Sequence, residues 1–266
     1  MSAYTSYSYD VLVVGAGGAG MRAAIEAANS GVSVGLICKS LLGKAHTVMA
    51  EGGMAAAMAH NDDRDSWRVH FADTMRGGQY VNNWRMAEIH AKEAPDRVRE
   101  LEAWGAVFDR TPDGRINQRN FGGHEYPRLA HVGDRTGLEL IRTMQQKIVS
   151  LQQEDKRQTG DLDATLKVFA ELTVVEILKT DGKVSGVLGY WRESGEYVVF
   201  EAPAVVLATG GIGKSFVATL LAQHLIRADK TQALYRLGIS EDVADIIDTL
   251  TPAQMLKVAS GNTLMS

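Results

Sequence analysis

The chain has 266 residues, 28 Lys+Arg against 32 Asp+Glu and a formal net charge of −4, with 45% hydrophobic residues. That length holds one sizeable domain and a small appendage. The acidic balance argues against a general polyanion binder, a single cysteine (Cys38) excludes an internal disulfide and suits the cytosol, and no apolar run approaches the roughly 20 residues of a membrane span.

The N-terminus, Met1-Ser2-Ala3-Tyr4-Thr5-Ser6, lacks a signal-peptide pattern. Tyr9-Asp10-Val11-Leu12-Val13-Val14 then reads as a buried strand of a parallel sheet. Gly15-Ala16-Gly17-Gly18-Ala19-Gly20 follows with GxGxxG spacing. In that motif the first glycine permits a tight turn, the second lets backbone approach a pyrophosphate, and the third lets the next helix pack on the strand. The helix is expected at about Gly18–Ser30, with Met21, Ala24, Ile25 and Ala28 on one face and its unpaired N-terminal amides available to phosphate. A second strand, Ser33–Ile37, ends in Cys38-Lys39-Ser40. An NAD-type unit would usually carry an acidic residue there for the ribose, so a plain NAD dehydrogenase is disfavoured.

Residues 66–106 read as helical. Arg85–Trp104 is the clearest stretch, with Met86, Ile89, His90, Val98, Leu101 and Trp104 at three- and four-residue spacing, and Pro95 is expected to break it into two helices. His60, His70, His90, His124 and His131 show no ligand spacing that demands a metal and read as surface or core residues. Thr111-Pro112-Asp113-Gly114 is a turn, and Arg135–Leu151 another amphipathic helix. Gln152–Asp163 is a solvated loop or helix end. Thr165–Lys179, Val184–Trp191 and Glu196–Phe200, punctuated by Asp181-Gly182 and Ser194-Gly195, form a small antiparallel meander. Ala204–Ala208 is a further buried strand, ending in Thr209-Gly210-Gly211. The run from Ala208 to Ser215 nearly fits a phosphate-binding P-loop, but Ala208 stands where the first glycine is required, so an NTPase is a poor alternative.

Four ordered segments carry a resemblance. They are Lys44-Ala45-His46-Thr47-Val48-Met49-Ala50-Glu51-Gly52-Gly53, Gln118-Arg119-Asn120-Phe121-Gly122-Gly123, Asp134-Arg135-Thr136-Gly137 and Ala208-Thr209-Gly210-Gly211. From about Tyr9 to Phe216 the chain resembles the flavoprotein subunit of succinate dehydrogenase and fumarate reductase. The resemblance implies an α/β, Rossmann-like FAD-binding domain: a parallel sheet with helices and a small antiparallel meander. It implies FAD held by Gly15, Ala16, Gly17, Gly18, Ala19, Gly20, Lys39, Ser40, His46, Thr47, Gly52, Gly53, Ala170, Thr209, Gly210 and Gly211, with His46 joined covalently to the flavin ring. Gly52 and Phe121 match positions that line the dicarboxylate site. Taken without the resemblance, His46 is a loop or core histidine, Gly52 a turn glycine and Phe121 a core aromatic. Glu51 departs from the glutamine of many relatives, and an anion there disfavours both a reduced flavin anion and a dicarboxylate. The implied partners are an iron–sulfur subunit that takes the electrons and membrane-anchor subunits. The implied location is cytoplasmic, peripheral to the cytoplasmic face of the inner membrane through those partners.

After Phe216 the pattern changes. Leu220, Leu221, His224, Leu225 and Ala228 form one helical face, Ser240 reads as the N-cap of Glu241–Leu250, and Thr251-Pro252 starts another helix. Over about residues 219–264 the LLAQ, RLGI and LT-x-x-QM runs resemble the D subunit of the flagellar master transcriptional regulator. The expected organisation is therefore 1–216, an FAD-binding domain incomplete relative to its family, and 217–266, a short all-helical segment of different origin. Its acidic residues outnumber its basic ones, so nucleic-acid binding is not expected and packing or oligomerisation is. No catalytic residue is assigned, because the family's substrate-gripping arginines have no counterpart here, and the chain alone is expected to turn over dicarboxylate weakly or not at all. The alternative of a different class is a nonenzymatic FAD-binding or helical interaction protein; a third possibility is that the incomplete domain folds poorly.

Overall fold

Strand β2 (Val11–Val14) lies at the centre of the architecture, and its four apolar residues explain the layering. Side chains alternate across a strand, and here both faces are covered. Val13 joins a core with Met21, Ile25, Leu36, Val98, Ile141, Ile148 and Leu166. Leu12 and Val14 join a second core with Ile37, Phe169, Leu172, Val187, Val198 and Phe200. A continuous apolar run, rather than an alternating one, is what a strand buried on both faces requires. The computed structural model describes residues 5–210, 226, 227, 230, 241–249 and 251. The chain divides into two compact units, Met1–Thr209 and Gly210–Ser266.

In the first unit, β2 pairs in parallel with β3 (Val34–Ile37) on one side and with β11 (Ala204–Leu207) on the other; β7 (Leu166–Phe169) pairs with β3, giving the order β11-β2-β3-β7. Helix α1 (Gly18–Asn29) and helix α4 (Thr136–Thr159) supply the helical layer, α1 burying Met21, Ala24, Ile25 and Ala28 as its sequence period requires. On the opposite face stands a second sheet, built from β1 (Thr5–Ser8), β8 (Leu172–Thr180), β9 (Lys183–Trp191) and β10 (Tyr197–Glu201) in the order β1-β10-β9-β8. The fold is the expected Rossmann-like α/β arrangement with its meander.

Four details differ from the sequence reading. The run Thr165–Lys179 is not one strand: Glu171 takes a left-handed φ of 56°, and the chain passes from the parallel sheet (β7) to the antiparallel one (β8). The meander gains a fourth strand, β1, parallel to β10. Pro95 does not split the helix: α3 runs unbroken from Trp84 to Ala103. An interior proline costs about 3 kcal/mol; the buried stripe Ala87, Ala91, Ala94, Val98 and Leu101 on both sides of it holds the helix together. That stripe also corrects the expected apolar face, since Met86 and Ile89 are exposed. Helix α4 continues through the polar segment to Thr159, one of the two readings given for Gln152–Asp163, and is closed by Gly160 in a left-handed cap.

Helix α2 (Trp67–Gly77) is capped by Ser66, whose hydroxyl accepts from the Val69 amide. A small antiparallel sheet, β4 (Met54–Ala55), β6 (Leu129–Ala130) and β5 (Gln118–Arg119), ties the His46–Gly53 region to the middle of the chain. In the second unit, helix α5 (Glu241–Thr249) is described, and Lys230 pairs with both Glu241 and Asp245. The expected cap Ser240, the whole expected face of Leu220, Leu221, His224, Leu225 and Ala228, and the helix after Thr251 lie outside the described residues.

Candidate cofactor site

Ligands of open α/β sheets bind beyond the C-terminal ends of the strands, where the strand order reverses. Here the order reverses at β2, between β11 and β3, and the turns that leave these strands carry the expected residues. Gly15 leaves β2 with φ 109° and donates its amide to the Ile37 carbonyl at 2.8 Å. A Cβ on Gly15 would stand 2.3 Å from the Ala208 carbonyl oxygen, so only glycine lets the turns after β2 and β11 approach each other. A Cβ on Gly20 would stand 1.7 Å from the Gly15 carbonyl oxygen, the close helix–strand packing inferred from spacing. The amides of Ala16, Gly17, Ala19 and Gly20 donate to no backbone acceptor among the described residues. They present the free donors and positive helix end that phosphate requires, so the residues present fit the pyrophosphate of a dinucleotide.

Lys39 and Ser40 leave β3, and Ala170 leaves β7; the structure brings them together. Cys38 donates its amide to Phe169 at 2.9 Å, Leu172 donates to Cys38 at 3.0 Å, and Arg192 donates from Nη1 to the Lys39 carbonyl at 2.8 Å. Thr209 ends the first unit, exposed; Gly210 (φ 86°) opens the second, and Gly211 lies outside the described residues, as does the remainder of the P-loop-like run.

The His46–Gly53 segment reaches the same region. Thr47 Oγ1 accepts the Gly18 amide at 3.1 Å, so the segment is fastened to the start of α1. His46 opens a single turn of 3-10 helix, His46–Met49, and its side chain is exposed. The N-terminal turn of α4 presses on this loop: Gly137 donates to the Ala50 carbonyl at 2.7 Å, and a Cβ there would stand 1.9 Å from the Thr47 carbonyl oxygen. Gly52 faces Phe121, whose ring carbon is 3.6 Å from the place a Gly52 Cβ would take. Phe121 is 59% exposed, so it is not a core aromatic. The side chain of Glu51 is exposed.

Sequence reading missed two features. Arg119 donates from Nε to the Gly52 carbonyl at 2.8 Å and from Nη2 to the Glu51 carbonyl. It stands inside the Gln118–Gly123 segment, but spacing alone gives it no task. Behind this region Arg128 is fully buried and forms ion pairs with Asp65 at 2.9 Å and Asp73 at 2.8 Å. Asp73 Oδ2 also accepts the Glu125 amide at 3.0 Å. Buried beside them, His70 has its pKa pushed down to about 4, first by loss of solvent and then by the Arg128 charge. His124 and His131 are lowered for the same first reason. His131 Nδ1 lies 2.9 Å from Asp109 Oδ2. Burial also lifts the Cys38 thiol to about 11, which leaves it unreactive.

The family described as FAD binding domain matches residues 10–244, which extends beyond residue 216. A fumarate reductase (CoM/CoB) chain of Methanothermobacter marburgensis is 41% identical over 214 residues, covering 80% of this chain and 37% of that protein. The succinate dehydrogenase flavoprotein subunit of Rickettsia conorii is 35% identical over 241 residues, covering 88% of this chain and 38% of that protein. Among solved structures, the Mycobacterium smegmatis Sdh1 complex in its apo form superposes with a TM-score of 0.78 at 69% identity, over 80% of this chain and 36% of that one. The chain thus spans little more than a third of the length of these relatives. It belongs to the FAD binding domain family, alongside flavoproteins of succinate dehydrogenases and fumarate reductases.

Proposed function

We propose that this chain is the FAD-binding part of a flavoprotein that interconverts succinate and fumarate, with the flavin joined to His46. The single observation that carries this reading is the convergence of the Gly15–Gly20 turn and the His46–Gly53 loop, fastened by the bond from the Gly18 amide to Thr47. The α1 N-terminus would hold the pyrophosphate; Lys39, Ser40 and Ala170 would hold the adenosine end; His46, Thr47, Gly52 and Gly53 would hold the ring. FAD, when bound, supplies a two-electron acceptor, and a link to His46 raises its oxidising power toward what an alkane such as succinate requires. The exposed imidazole of His46 is free to form that link. Gly52 and the exposed Phe121 would line the dicarboxylate.

On this reading the substrate-gripping arginines come from elsewhere in the assembly's flavoprotein. Electrons pass to an iron–sulfur partner, and anchor subunits attach the complex to the cytoplasmic face of the membrane. The Mycobacterium smegmatis Sdh1 relative is a complex, which supports a multi-subunit setting. Residues 217–266 are read as a separate helical packing segment; α5 and its Lys230 ion pairs support a helical character.

The test is acid precipitation of FAD-loaded protein. Yellow colour that stays in the pellet for the wild type and leaves it in His46→Ser supports the linkage. Colour that leaves the wild-type pellet while the native protein binds FAD refutes the linkage and keeps the cofactor.

A further inference from the structure

Four carbonyls of the loop from Thr47 to Gly52 accept hydrogen bonds. The Thr47 carbonyl accepts from Ala50 at 3.1 Å, and the Ala50 carbonyl accepts from Gly137 at 2.7 Å. Arg119 takes the next two, Glu51 and Gly52, with the two prongs of one guanidinium. Its backbone belongs to β5 and is registered against Leu129 of β6, so the fork is delivered from a fixed position. A trans peptide points its N–H away from its C=O. Anchoring the Glu51 and Gly52 carbonyls therefore turns the Gly52 and Gly53 amides to the opposite side. Neither amide donates to an acceptor among the described residues. Two adjacent donors held this way form an electropositive, hydrogen-bond-donating patch, and it lies in the loop that begins at His46 and beside the exposed Phe121.

We propose that Arg119 is a positioning residue: it aims the Gly52 and Gly53 amides at the flavin ring and so favours the reduced ring over the oxidised one. The proposal rests on the reading of His46–Gly53 as the ring site. Donors fixed where electron density accumulates stabilise that density without having to reorganise. The two-pronged geometry is what a guanidinium offers and a lysine does not. The bland alternative is that Arg119 only staples β5 to the loop, which would affect stability and leave the flavin unchanged.

The two roles separate in the 266-residue chain loaded with FAD, as wild type, Arg119→Lys and Arg119→Gln. Flavin content, melting midpoint and the two-electron midpoint potential by dye equilibration are measured on each. Arg119→Gln is expected to lower the potential by about 30 mV, a tenfold loss of preference for the reduced ring, with Arg119→Lys between it and the wild type. A lowered melting midpoint with an unchanged potential makes Arg119 structural and overturns the proposal, while FAD binding stands. If Arg119→Gln does not load, Arg119→Lys decides: a potential equal to the wild type overturns the proposal. Failure of the wild type to take up FAD overturns the ring-site reading and the proposal with it.

Discussion

Substituting Gly137 by alanine tests whether the start of α4 and the His46 loop are built against each other. In an exposed helix this change stabilises by up to about 1 kcal/mol, because glycine is the poorer helix former. At Gly137 the sign reverses. The new Cβ would stand 1.9 Å from the Thr47 carbonyl oxygen, 2.8 Å from the Ala50 amide nitrogen and 3.0 Å from the Ala50 Cβ. Two of these neighbours are backbone, so no rotamer change relieves the clash. The helix must retreat, and the Gly137–Ala50 hydrogen bond goes with it. Overpacking typically costs about 1–3 kcal/mol and a lost hydrogen bond about 1, so we expect a net loss of roughly 2–3 kcal/mol in urea denaturation and weaker FAD retention. Gly77 ends α2, and a Cβ there would meet nothing within 4 Å, so Gly77→Ala should raise stability by about 0.5–1 kcal/mol. Equal, stabilising responses at both sites would refute the reasoning.

Other expectations follow from the buried charges and the glycine turn. Arg128→Leu removes the counter-charge of Asp65 in a site closed to solvent, and breaking such a pair costs roughly 3–5 kcal/mol; a change in urea midpoint worth less than about 1 kcal/mol would contradict the assigned ion pairs. For His70 the folded pKa, about 4, lies below its ordinary 6.5. The unfolded chain thus takes up the proton first as pH falls. The neutral-histidine contribution is fully present above pH 6.5 and is lost as pH drops toward 4. The bare shift corresponds to roughly 3 kcal/mol, and screening reduces it to about 2. Melting midpoints between pH 7 and pH 4 should therefore fall more steeply in the wild type than in His70→Asn; parallel curves would exclude His70 as the source. Gly20→Ala, which would drive a Cβ to 1.7 Å from the Gly15 carbonyl oxygen, should abolish FAD retention, read by flavin absorbance after gel filtration.

What is legible in the sequence is what local chemistry dictates. The run Val11–Val14, the glycines after it and the apolar face of α1 each satisfy a short-range rule, and the structure places them as those rules require. Asp181-Gly182 joins β8 to β9 with both residues left-handed (φ 52° and 76°), as a two-residue hairpin demands. What escapes depends on contacts distant along the chain. Arg128 and Asp65 are 63 positions apart and meet only in the folded core. Arg119 reaches Gly52 across 67 positions. Strand β1 is four residues, Thr-Ser-Tyr-Ser, too short for its period to stand out, and it exists because β10 offers an edge. The buried side of α3 begins with alanines instead of the larger Met86 and Ile89. Periodicity weights bulk, whereas close helix packing selects small residues at the contact.

The central claim is that the strand ends and the His46 loop together make an FAD site. The most direct measurement is a titration of the purified chain with FAD, followed by gel filtration and a visible spectrum of the protein peak. The account predicts flavin absorbance near one equivalent in the wild type and its loss in Gly20→Ala. A wild-type peak without flavin, from protein shown to be folded by its melting transition, would contradict it.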